Sequence, residues 1–256
     1  MSSRNLLRLL VFFFILTGCS TDDPSGDGSV DRSANLKALG TSGSDLLDDM
    51  KFTSMRVEVA YVTGFEPSPS TLANLKSFLE QRTHKPNGIS IFTRAVSSSG
   101  KAPFNINEIA EIEKEIRTTY NAGDEIAVFI YFADGSNEND TNTKKVVGSA
   151  YRNTSMVIYG ATVKNITDRT NGPNKIAVES TVINHEFGHL FGLVNLGTPL
   201  QSSHEDDVSK GHCDTDGCLM NANVQFGVDL IDMVDGNSLP NFDDKCLRDL
   251  QAIGGK

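Results

Sequence analysis

The chain has 256 residues, a formal charge of −10 and 38% hydrophobic residues. That length suits one sizeable domain plus terminal segments, with enough apolar side chains to build a core. An acidic balance of this size argues against nucleic acid as a partner, because phosphate binding needs a basic face, and there is no repeat of solenoid period.

The first residues read as a targeting segment. Arg4 and Arg8 form a basic stretch before an apolar run, Leu9 to Leu16, that is too short to cross a bilayer as a stable helix. Leu16-Thr17-Gly18-Cys19 resembles a bacterial lipobox, which implies a signal peptide over 1–18 and a lipid on Cys19. Membrane attachment through that lipid is expected, in an outer-membrane lipoprotein facing the periplasm or the cell surface. Residues 19–53 are rich in Ser, Gly and Asp and read as a flexible acidic tether. The patch Leu46-Leu47-Asp48-Asp49 leaves open a short inhibitory segment instead. The folded domain is expected over 54–256, as a monomer.

Met55 to Val62 alternates and is rich in β-branched residues, which predicts a strand. Leu72, Leu75, Phe78 and Leu79 recur at helical spacing within Ser70 to Arg82, with Ser68 or Ser70 as the cap. Gly88 to Val96 is a second strand. Asn105 or Asn107 caps a helix running to about Tyr120, with Ile109, Ile112 and Ile116 on one face. Glu125 to Phe132 is almost continuously apolar and predicts a central strand buried on both faces. This alternation predicts an α/β fold with a mostly parallel twisted sheet. Two short strands follow, Val146–Tyr151 and Ser155–Tyr159, one of them an antiparallel edge that an extended peptide could pair with.

Pro173 suits the first position of the next helix. Ile176, Val178, Val182, Ile183, Phe187, Leu190 and Phe191 make that helix apolar on more than one side, so it should be buried, and Gly192 suits a left-handed end. The same helix carries His185-Glu186-Phe187-Gly188-His189. Histidines four apart share a helix face and can grip one ion, with the intervening glutamate placed as a general base. Burying two imidazoles and a carboxylate without partners is costly, and a metal removes the difficulty.

A catalytic zinc takes three protein ligands and keeps an open position. The chain has five histidines, at 84, 185, 189, 204 and 212. In metzincin metallopeptidases, which this helix resembles, a third histidine stands ten residues after the first; here that place holds Asn195. Further on, His212-Cys213-Asp214-Thr215-Asp216-Gly217-Cys218-Leu219-Met220 resembles the second half of the archaemetzincin signature. The resemblance, to the membrane-anchored bacterial lipoproteins of that type, is specific over 185–220. It implies a zincin-like fold in which His212 is the third zinc ligand, Glu186 the general base and Met220 the Met-turn residue, with a smaller C-terminal subdomain closed by a helix over 244–252. His204 is the rival third ligand, with Asn195 and Asp206 behind it, and His84 is read as a surface residue.

Archaemetzincins hold a second, structural zinc with cysteines around the Met-turn and a later pair. Here Asp243 stands where the first late cysteine belongs, before Cys246. The favoured expectation is therefore a disulfide, most simply Cys213 to Cys218, which suits an exported protein. A metal on Cys213, Cys218, Cys246 and Asp243 stays open. The resemblance implies a zinc endopeptidase with one catalytic Zn2+ and a protein or peptide substrate. A surface-exposed binding lipoprotein that has lost catalysis is the alternative, argued from Asn195, and hydrolysis of a non-peptide amide is a third.

Overall fold

A computed structural model describes residues 31–225 and 239–256. The expected signal peptide, Cys19 and the first part of the expected tether lie outside the described residues. Five strands form one sheet in the order β2-β1-β3-β5-β4: β1 (Ser54–Val62), β2 (Ile89–Val96), β3 (Glu125–Ala133), β4 (Gly148–Arg152) and β5 (Ser155–Tyr159). β1 is parallel to β2 and β3, β3 is parallel to β5, and β4 pairs antiparallel with β5 as the edge. β4 is bulged between Ala150 and Arg152.

Side chains alternate between the two faces of the sheet, as the period of a strand requires. Val57, Val59, Ile126, Val128, Ile130, Met156 and Ile158 face one core, shared with α2 (Pro69–Arg82) and α5 (Lys175–Leu190). Ala60, Phe129, Tyr131, Val157 and Tyr159 face the other, under Ile109 and Ile112 of α3 (Ile106–Ile116). Helices on both faces explain why β3 shows no polar alternation. α2 starts on the Ser68 hydroxyl, which accepts from Thr71 N at 3.0 Å. α3 starts on a reciprocal Asn105–Glu108 capping box. It ends at Ile116 rather than near Tyr120, because Arg117 turns extended to ion-pair with Glu113 at 2.8 Å inside the core.

Three parts of the described fold had no matching forecast. One is α4 (Gly160–Thr167), which follows β5 directly. Another is the short α6 (Ala222–Gln225). The third is the segment before β1. From Asp31 on, the described residues belong to one compact unit, so the tether expected as far as 53 is not one over 31–53. α1 (Gly43–Leu47) buries Leu46 and Leu47 completely, and Phe52 nearly so. The Asn35 amide donates to Asn121, the Ala127 carbonyl and Thr154, at 2.8–3.0 Å. The Asn153 amide donates to the Ala34 carbonyl at 2.9 Å and to Ser42 at 2.8 Å. Lys85 reaches across to the Phe52 carbonyl at 2.8 Å. A polar composition hid a few anchoring residues. Leu47→Ala should therefore cost about 2–5 kcal/mol, the usual range for an emptied core position, read as a lower urea midpoint. A loss below about 1 kcal/mol would return this segment to the role of a tether.

Among the described residues no helix is long and apolar enough to cross a membrane.

Candidate metal centre

Asn174 caps α5 by accepting from Ile176 N at 2.8 Å and Ala177 N at 3.3 Å, so the helix begins two residues after Pro173. Every residue from Val178 to Leu190 is buried. The helix stops where Gly192 turns left-handed at φ +76° and Leu193 N closes on the Gly188 carbonyl at 3.1 Å. Val194 and Asn195 then follow at φ +53° and +66°, a strained pair for side-chain-bearing residues. Asn195 is exposed there and joins no ligand group. The chain continues as a loop in which 204–206 pairs antiparallel with 212–214, through Asp206 N to the His212 carbonyl and Asp214 N to the His204 carbonyl, both 2.8 Å.

That pairing delivers His212 to the helix. His185, His189 and His212 converge, with ligand atoms all within 4.8 Å of one another. The His185 and His212 rings stack at 5.3 Å between centroids, and His189 stands edge-on to both. His185 Nδ1 donates to the Leu219 carbonyl at 2.7 Å, since a carbonyl only accepts. This leaves Nε2 as the ligand atom, 3.1 Å from His189 Nε2. Two imidazole nitrogens on one tetrahedral zinc would stand roughly 3.3 Å apart, so the donor set fits that ion. Burial, reinforced by His212, pushes His185 down to about 3, and burial pushes His189 well below the imidazole range. Both rings are therefore neutral and present lone pairs.

Glu186 is fully buried, and burial pushes its carboxyl up to about 8 against the pull of the Ala150 amide. Ala150 N donates to Oε2 at 2.7 Å. Oε1 has no hydrogen-bond partner among the described residues. Gly148 makes room for this carboxylate: a Cβ there would stand 2.8 Å from Oε1 and 2.7 Å from Val182 Cγ1. Gly188 does the same for Met220, since a Cβ would overlap the Met220 sulfur beneath the helix. A glycine inside a buried helix is a sequence signal for close packing. The Leu219 carbonyl and the Ala150 amide carried no such signal, being backbone groups.

Glu186, His189 and His212 line a cleft of about 400 Å³, walled also by Leu39, Leu196 and Val208. Leu39 comes from the segment expected to be a tether.

His204 is not in this group. It is fully buried elsewhere, against Cys246 at 3.7 Å and Asp249 at 3.3 Å. Asp206 caps its own turn by accepting from Val208 N at 2.8 Å and Ser209 N at 2.6 Å. His84 is exposed, as expected.

The disulfide is also corrected: Cys213, Cys218 and Cys246 are free and buried. With Asp243 they form a second group that could hold a metal ion, ligand atoms again within 4.8 Å of one another. Cys218 and Cys246 sulfurs lie 3.7 Å apart, and Cys213 Sγ lies 3.6 Å from Asp243 Oδ2. Two thiolates on one tetrahedral zinc stand about 3.8 Å apart. Asp243 also caps α7 (Asp244–Ala252), its Oδ1 accepting from Cys246 N at 2.8 Å. A carboxylate at that position thus starts the helix with one oxygen and faces the thiols with the other.

No family model matches the sequence, and no curated protein matches it. Among solved structures, the fold is similar to an archaemetzincin from Methanopyrus kandleri, with 17% identity and a TM-score of 0.48 over 78% of this chain and 96% of that one. It is also similar to metalloproteinase-II from Bacteroides fragilis, with 13% identity and a TM-score of 0.41 over 89% of this chain and 59% of that one.

Proposed function

We propose that this chain is a zinc-dependent endopeptidase, tethered to a bacterial outer membrane through a lipid on Cys19 and acting on proteins or peptides as a monomer. The observation that carries the reading is the Glu186 carboxylate. One of its oxygens is fixed by the Ala150 amide and the other has no partner among the described residues, beside three converging imidazoles at an open cleft. His185, His189 and His212 would hold the ion, which when bound supplies Lewis acidity toward a carbonyl and an acidified water. The Leu219 carbonyl fixes the His185 tautomer, as outer partners of zinc-bound imidazoles do. Glu186 takes up a proton at Oε1 and releases it to the leaving amine, the role of a general base turned acid. A carboxyl whose burial favours the protonated form is suited to that transit. The β4 edge beside it is where an extended peptide would lie.

A silent binding protein drew its support from Asn195. With His212 beside His185 and His189, that support falls away. Purified protein of verified zinc content, assayed against a broad peptide library, should cleave, stop on adding 1,10-phenanthroline and recover with Zn2+. Zinc-loaded protein that cleaves no peptide would overturn the reading in favour of a binding protein or an enzyme for another amide.

A further inference from the structure

Three aliphatic side chains from three separate segments line the cleft beside Glu186, His189 and His212. Leu39 comes from the segment before β1, Leu196 from the turn after α5, and Val208 from the loop that delivers His212. Leu39 and Leu196 are half-buried, and Val208 is 93% exposed. One exposed valine needs no explanation. Three aliphatic residues gathered in one cleft around a few convergent polar groups are the usual make-up of a binding pocket.

The main chain holds each of them in place. Gly40 lies so close to the turn after α5 that a Cβ on it would overlap the Leu196 carbonyl oxygen. A Cβ on Gly197 would stand 2.7 Å from the Gly40 carbonyl oxygen, and one on Gly192 3.0 Å from it. Gly40, Gly192 and Gly197 all take positive φ, at +76°, +76° and +141°, so residues with side chains are poorly suited to this approach. Contact of backbone with backbone thus sets Leu39 beside Leu196. On its other side Leu196 meets Gly211, where a Cβ would stand 3.2 Å from Leu196 Cδ1, one residue before His212.

Val208 sits in a turn that its own loop makes rigid. Asp206 Oδ1 accepts from Val208 N at 2.8 Å and Ser209 N at 2.6 Å, and Glu205 Oε1 accepts from Gly211 N at 3.1 Å. Lys210, also at the cleft, lies 3.5 Å from Asp207. The loop's charged groups are therefore engaged within the loop, while its valine stands open. Across the cleft lies Ala150 of β4. A peptide paired with a strand edge gains affinity through its main chain, and its alternate side chains gain specificity from pockets.

We propose that Leu39, Leu196 and Val208 form the pocket for a bulky apolar side chain flanking the scissile bond of the peptide. The segment before β1 then helps to set which peptides the protein takes. The proposal rests on reading the histidine site as that of a peptidase.

The test uses the full chain, zinc-loaded and carrying Glu186→Gln so that a bound peptide is not consumed. Alanine peptides that differ only in a central Leu, Phe, Ala, Glu or Lys are titrated by calorimetry. The Leu and Phe peptides should bind at least about 10-fold tighter than the Ala peptide, as apolar groups in a hydrophobic pocket do, and the Glu and Lys peptides no tighter than Ala. Adding Leu39→Ala or Val208→Ser should each narrow the Leu-to-Ala ratio by about 3–10-fold. A ratio is the readout because a general weakening of the site does not move it. If Leu39→Ala does not fold, Val208→Ser, at an exposed position, decides. Equal affinities, tighter binding of the Glu or Lys peptide, or a ratio unchanged in the folded variants would overturn the proposal. Mass spectrometry of the Leu peptide after incubation with zinc-loaded wild-type protein separates the two readings. Preferential binding without cleavage would overturn the peptidase and keep the pocket, whereas cleavage without preference would do the reverse.

Discussion

Replacing Glu186 with Gln should leave the bound zinc in place and lower kcat/KM on a cleaved peptide by about 10²–10⁴-fold, the usual contribution of a positioned acid–base group. Gln keeps the volume and can still accept the Ala150 N–H at its carbonyl oxygen, so the cleft and the three histidines should stay as they are. What it loses is the ability to take up a proton at the second atom. Metal content by mass spectrometry and steady-state kinetics on the same preparation check both halves. Equal activity in the two proteins would remove Glu186 from the chemistry.

The second large effect concerns the third ligand. His212→Asn should lower zinc affinity at the histidine site by more than the 10–100-fold typical of a lost outer partner, because a direct donor is gone. Bound zinc should fall by one equivalent, and any peptidase activity should fall with it. His204→Phe should leave zinc at the histidine site unchanged, since His204 stands with Cys246 and Asp249. The reverse pattern would give His204 the ligand role that the sequence also allowed. Isothermal titration of chelator-stripped protein separates the two outcomes.

The parts of this molecule that were legible in the sequence are those where local signals and burial agree. β1, β2 and β3 carry β-branched or apolar runs, and α2 and α3 carry both a spacing and a cap. His185, Glu186 and His189 were legible because a helix turns residue spacing into geometry without outside help. His212 needed the archaemetzincin resemblance. It reaches the helix only through a loop that bridges back on itself at Glu205 and Cys213, and no local rule specifies that bridge. The segment over 31–53 was misread because composition averages over a window, while its attachment depends on Asn35, Leu46, Leu47 and Phe52 singly. The cysteines were misread because Asp243 looked like a missing ligand, whereas its Oδ1 serves a helix end and its Oδ2 stays with the thiols.

The order of the strands along the chain has a consequence for how the protein comes into being. All five strands end by Tyr159, so the whole sheet has been synthesised before His185 emerges. Yet β1 sits between β2 and β3, and parallel neighbours of that kind pair only across long intervening segments, which slows folding. One face of the sheet is also covered by α5, the helix that carries His185 and His189. Core closure and delivery of these two histidines are thus a single late step. Metal captured earlier, by an isolated histidine pair on an undocked helix, would find neither His212 nor the Leu219 carbonyl in place.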